Sequence, residues 1–179
     1  MPNMPGQPLL AAALHSRDRN NAVLLGLLRV LPAGALAVRA TEDGPSVAGS
    51  FMHLHSVRLN LVHENAPEIG VTLPGQDWED LRDPDLIARH LDESAAAVGQ
   101  AVQGRQMAGR ALDLHDHLLL MLGHLIWHEG YHHGQIKLAL KLAGCPVADE
   151  DAGPGTWGVW TRRTAPEPSL RPWHSSVIL

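Results

Sequence analysis

Five residues in the string HEGYHHGQ, His128, Glu129, His132, His133 and Gln135, have the types and spacing that metal chemistry uses. His128 and His132 are four apart, so on a helix they project from one face with Cβ atoms about 5–6 Å apart. Two imidazole nitrogens at that separation can reach one ion at about 2.0–2.1 Å, the usual zinc–nitrogen distance. The string sits in a local concentration: six of the 12 histidines, His115, His117, His124, His128, His132 and His133, fall between positions 115 and 133. Two histidines bind weakly, and a third ligand must come from another element. Three neutral imidazoles would leave a divalent ion its full charge and an open position, the pattern of a catalytic rather than a structural zinc. Such an ion can acidify bound water towards a pKa of about 7 or stabilise a thiolate.

The second helix supplies candidates for the third ligand, in SFMHLHSVRLNLVHE. His53 and His55 lie there on opposite edges of an apolar stripe formed by Val47, Phe51, Leu54, Arg58 and Leu61. Only one of the two can face the site, and periodicity does not choose between them. His63, near the helix end, and His90 read as surface or satisfied core residues.

Four helices can be read around these residues. The first covers residues 8–31 and ends at Pro32 and Gly34. Ser46 caps the second, which runs to about residue 64, with Asn65 and Pro67 closing it. Ile69, Val71 and Leu73 alternate, yet no second strand is available to pair with them, so residues 68–74 read as an extended loop over the helices. Asp83-Pro84-Asp85 starts the third helix, which runs to about residue 103 and is followed by a linker over 104–111. The fourth spans about 112–143 and stops at Gly144 and Pro146. These elements predict an all-α four-helix bundle over about residues 8–144, in a single domain of 179 residues. An irregular tail over 145–179, rich in proline and carrying Trp157, Trp160 and Trp173, is expected to drape its tryptophans over the bundle.

On the fourth helix, His117, Met121, His124, His128, His132, Gln135, Ala139 and Leu142 share a narrow stripe, and Met121 and Leu142 suggest that it faces the core. Buried imidazoles there would need partners, because an unsatisfied buried polar group costs about 1–3 kcal/mol. Coordination supplies partners for several rings at once. Gly123, Gly130 and Gly134 form a second stripe beside Trp127, which suggests close approach by another helix, within the bundle or across a dimer. Each glycine costs roughly 0.8–1.0 kcal/mol against alanine in a helix.

SVAGSFMHLHSVRLNLV followed by HEGYHHGQIKLALKLAG resembles the DinB/YfiT-like family of metalloenzymes. In that family a second-helix histidine joins a His-x-x-x-His pair that is typically followed by Arg-Gly-Gln. His128, His132, Gly134 and Gln135 match, and His53 matches the second-helix ligand position. His133 departs from the pattern, since it stands where the family often has the arginine or a second histidine. The resemblance implies an up-down-down-up bundle, commonly a homodimer, and a divalent metal such as zinc or nickel on His53, His128 and His132. It also implies thiol-transferase or isomerase chemistry on a small cellular thiol, as in mycothiol-dependent maleylpyruvate isomerase. WGVW, ending at Trp160, is similar to the family's tryptophan-bearing tail.

Two other readings remain open. HEGYH is literally His-Glu-x-x-His, the zinc protease motif with Glu129 as base. The extended form fails, because Gln135 and Leu138 stand where glycine and a third histidine are required, and Glu150 and Glu167 fall in the irregular tail. Glu129 can instead be an interhelical partner or a surface carboxylate. Arg58 can bind a substrate carboxylate or form a structural ion pair. The third reading is a non-enzymatic metal-binding or dimerising bundle. No catalytic base is assigned from sequence.

Composition excludes other classes. A net charge of −5 gives no basic stripe for nucleic acid. The longest apolar run, 118–122, is too short to span a bilayer. Cys145 is the only cysteine, which forbids an internal disulfide and suits a reducing cytoplasm. The N-terminal segment lacks the basic flank and long apolar core of a signal peptide.

Overall fold

Local chemistry sets the helix ends. Ser46 is extended, and its Oγ accepts the Gly49 amide at 3.0 Å, which satisfies one of the free donors of a first helical turn. Asp83 caps in the same way, accepting from the Asp85 and Leu86 amides with Pro84 at the first helical position. At the other extreme, Gly144 takes a left-handed φ of 75°. Its amide donates to Lys141 O, and the next amide, of Cys145, donates to Leu140 O at 3.0 Å. That is a Schellman stop, in a conformation that glycine adopts without a Cβ penalty.

The structure is a computed structural model that describes residues 7–75, 81–148, 151 and 158–161. The chain is all-helical: α1 is Gln7–Arg29, α2 is Val47–Asn65, α3 is Pro84–Met107 and α4 is Leu118–Leu142. Short 3-10 turns lie at Ala35–Ala37 and Pro67–Ile69, and a one-turn helix, α5, at Gly158–Thr161. Among the described residues there is no strand, only an isolated bridge between Arg39 and Ser46. Residues 70–75 are irregular, so the segment expected as an extended loop over 68–74 starts in the 3-10 turn, and Ile69 of that turn and Val71 of the loop pack on the core. No helix among the described residues is long and apolar enough to cross a membrane.

Cross-helix contacts fix the directions. His55 and Arg58 of α2 meet His90 and Leu91 of α3, while Glu68, just past α2, meets Arg105 near the end of α3. These two helices therefore run the same way. Asn21 of α1 meets Asp92, and Arg17 meets Ala95 further along α3, so α1 runs opposite to α3. The early apolar residues of α4 share a cluster with Leu10 and Val62, and its late ones share another with Leu27 and Phe51. α4 is thus parallel to α1.

The core is split. One apolar cluster contains Leu24, Leu27, Phe51, Ile87 and Leu140, and the other Leu61, Val98, Val102, Met121 and Leu125. Between them lies a buried polar layer: Asn20 and Asn21 from α1, Arg58 from α2, Ser94 from α3 and Glu129 from α4. The α2 stripe of Val47, Phe51, Leu54, Arg58 and Leu61 is buried throughout.

Three sequence expectations are corrected. α3 continues through Gly104 to Met107, so no linker begins there. α4 starts at Leu118 rather than near residue 112. The preceding turn is held non-helical by Asn65 Oδ1, which accepts the Leu114 and His115 amides at 3.2 and 2.9 Å, and by Arg105, which bonds Ala111 O and the Asp113 carboxylate. The tail is not wholly irregular, since α5 packs on α1 and the Trp160 carbonyl accepts from Arg19 at 3.3 Å. Trp157 and Trp173 lie outside the described residues.

Candidate metal centre

α2 and α4 bring three imidazoles together. On α4, the single turn between His128 and His132 sets their Nε2 atoms 3.2 Å apart. Across the interface, the His53 ring centre lies 5.3 Å from that of His128 and 4.7 Å from that of His132. One nitrogen from each of the three lies within 4.8 Å of the others. His53 is there because the apolar stripe of α2 turns inward and leaves it on the edge facing α4. The other edge sends His55 towards α3, where its Nδ1–H donates to His90 O at 2.7 Å and the ring is almost fully buried.

Burial pushes all three rings below the ordinary imidazole range. It is joined at His128 by repulsion from His53 and His124, and at His132 by repulsion from His128 and His53. His132 is lowered furthest, to about 4. The rings are consequently neutral at pH 7, with lone pairs free for coordination. Two Nε2 atoms at 3.2 Å match the bite of two nitrogens each about 2.0–2.1 Å from one tetrahedral ion. The donor set therefore fits a borderline divalent metal. Among the described residues His128 Nδ1 is buried without a hydrogen-bond partner, so none of them gives this ring the outer acceptor that metal-bound histidines usually have.

The other histidines among the described residues lie outside this cluster. His117 is exposed and caps α4, its Nδ1 accepting the Leu119 amide at 3.1 Å. His115 precedes the helix and meets His124. His63 is exposed at the end of α2, and His90 is half-buried beside Glu93. His133 is half-buried on the α1 side of α4, its ring lowered by burial and by Lys137. The histidine stripe as a whole is not core-facing. Met121 and Ala139 are buried, but His124 and Gln135 are exposed and Leu142 is 64% exposed. The inward face is Met121, Leu122, Leu125, Glu129, Ile136 and Leu140, which places His128 and His132 on its rim.

Glu129 is fully buried and belongs to the polar layer. Its Oε1 accepts from Arg58 Nε at 2.6 Å, and its Oε2 accepts from Asn20. Arg58 also donates to Asn21 Oδ1 and Leu91 O, both at 2.8 Å. Neither side chain faces solvent, so Arg58 is a structural ion-pair partner and does not contact a diffusible carboxylate.

A cavity of about 280 Å³ opens beside the histidines, lined by His132 of α4, by Gly49, Ser50 and His53 of α2, and by Arg39 and Pro45 of the loop before α2. Arg39 was not marked by sequence, because it sits in an irregular loop where no period betrays its direction. Asn20 and Asn21 were also missed. Two adjacent amides in an otherwise Leu- and Ala-rich helix were the available signal.

The model of the DinB family matches residues 6–153. The chain belongs to the DinB family. No curated protein and no solved structure matches this DinB member. The matched span takes in α1 to α4, with all three clustered histidines.

Proposed function

We propose that this DinB-family chain binds one divalent metal ion, zinc or nickel, through His53, His128 and His132, and acts as a metal-dependent transferase or isomerase on a small thiol. The observation that carries the reading is the meeting of three half-buried, neutral imidazoles beside a solvent-open cavity. An ion bound there supplies Lewis acidity and stabilises anionic sulfur. Each side chain then has a task. His53, His128 and His132 offer lone pairs without first losing protons. Arg39, exposed at the cavity edge with its Nη1 donating to Gly44 O, brings a guanidinium suited to the carboxylate of an acidic thiol or its electrophile. Pro45 and Gly49 line the same cavity.

The helix directions support an up-down-down-up four-helix bundle. We further propose a homodimer across the outer face of α4. Leu120, Trp127, Tyr131 and Leu138 are large, apolar and more than half exposed there. A Cβ added at Gly123, Gly130 or Gly134 would meet nothing within 4 Å, so no helix among the described residues approaches the glycine stripe. A second copy of the same face, self-complementary about a two-fold axis, would cover both. The lone Cys145 suits a cytoplasmic setting. The protease reading loses its base, because the Glu129 carboxylate is enclosed and committed to Arg58 and Asn20.

The test is cobalt-substituted, untagged protein titrated with small thiols, followed by a conjugation screen with unsaturated and epoxide electrophiles. A sulfur-to-cobalt charge-transfer band and metal-dependent turnover are expected. Stoichiometric metal with neither band nor turnover would favour a bundle that binds metal without catalysis.

A further inference from the structure

A second pair of imidazoles lies next to the first cluster. His115 Nε2 and His124 Nδ1 are 3.2 Å apart, the same separation as the His128–His132 pair. The His124 ring centre is 6.3 Å from that of His128, one helical turn away. His124 is exposed and His115 half-buried, so the pair opens to solvent.

The tautomer of His115 is fixed by its neighbours. Asn65 Nδ2 donates to Leu61 O at 2.8 Å, which orients the amide and leaves Oδ1 as a pure acceptor. That oxygen receives the Leu114 and His115 amides and lies 3.1 Å from His115 Nδ1. Nδ1 must therefore carry the ring proton, and in the neutral ring Nε2 is a bare lone pair. It is held by an outer acceptor, as metal-binding imidazoles commonly are. The same Asn65 contacts that stop α4 from starting earlier thus aim a lone pair at His124. Burial, and then repulsion from His124, hold the His115 ring below the ordinary imidazole range against the smaller pull of the Asp116 and Glu64 carboxylates, which keeps the ring neutral and its lone pair free. Without an ion, His124 donates its Nδ1–H to His115. With one, the His124 proton would sit on Nε2, leaving both inner nitrogens free to coordinate.

We propose that His115 Nε2 and His124 Nδ1 form a second, two-imidazole site for a borderline divalent cation, separate from the three-histidine centre. Water would complete its coordination, so it would bind more weakly. Copper(II) would be held better than zinc, as the general order of nitrogen-site affinities requires. The site does not depend on the proposed enzymatic reading.

The experiment is zinc and copper titration of metal-stripped, untagged full-length chain, with stoichiometry read by elemental analysis and histidine tautomers by nitrogen-15 NMR. Wild type should take up two equivalents in two affinity classes. His124→Ala and His115→Ala should each lose the weaker class and keep the tighter, whereas His128→Ala should do the reverse. Metal-free protein should show His115 protonated at Nδ1. His124 is exposed, so its removal should not perturb folding. A single class in wild type, or a second class untouched by His124→Ala, would overturn the proposal and leave a plain imidazole hydrogen bond. Loss of the tighter class in His124→Ala would also overturn it. One equivalent that survives His128→Ala but not His124→Ala would uphold this site while removing the three-histidine centre.

Discussion

Glu129 Oε1 and Arg58 Nε lie 2.6 Å apart, both side chains fully buried in the polar layer that divides the core. This pair crosses from α4 to α2, the same two helices that carry the three clustered histidines. It fixes their separation within a turn of His128 and His132.

Breaking such a pair from one side leaves a buried charge without its partner. Glu129→Ala should destabilise the fold by about 3–5 kcal/mol, measured by urea or guanidinium unfolding. The double change Arg58→Met with Glu129→Leu should recover most of that loss. If Glu129→Ala unfolds at the wild-type midpoint, the pair does not hold the layer together.

The connection into α4 depends on a second cation. Arg105 is buried, and its guanidinium bonds Glu68 at 2.6 Å and Asp113 at 2.8 Å, which holds both carboxyls below their ordinary ranges. Hydrogen bonding to Arg105 is the leading cause at Asp113, and at Glu68 it follows a backbone hydrogen bond. Because the folded values lie below the unfolded ones, this contribution to stability is complete above about pH 4.5 and is lost as pH falls through the lowered values. Stability curves of wild type and Arg105→Met should therefore be offset above that pH and converge below it. Parallel curves down to pH 2 would show that these ionisations do not report on the clamp.

The outer face of α4 should control assembly. Trp127→Glu places a charge in the middle of the exposed apolar stripe, and sedimentation velocity should then show monomer where wild type shows dimer. A wild-type protein that sediments as a monomer at micromolar concentration would remove the homodimer.

Much of this arrangement was legible in the sequence, and the reasons are specific. Ser46, Asp83 and Gly144 announce helix ends by their own chemistry, so those boundaries fall where the residues put them. The His128–His132 pair follows from the helical period alone. The start of α4 was not legible, because Leu112 and Leu114 continue the apolar content of the helix while the contacts that hold residues 112–117 non-helical come from Asn65 and Arg105, 40 or more and about ten residues away in sequence. The burial of Glu129 was equally hidden. A carboxylate next to a candidate ligand histidine looks catalytic until Arg58, 71 positions away, is seen to meet it. Likewise His53 and His55 could not be told apart by period, and only the packing of α2 between α3 and α4 sends one to each side.

Elemental analysis of untagged wild type and four single variants tests the central claim most directly. The three-histidine centre predicts tightly bound zinc or nickel at about one ion per chain after dialysis, lost in His53→Ala, His128→Ala and His132→Ala and kept in His55→Ala. Metal-free wild type under metal-replete conditions, or an ion that survives His53→Ala and disappears in His55→Ala, would contradict it.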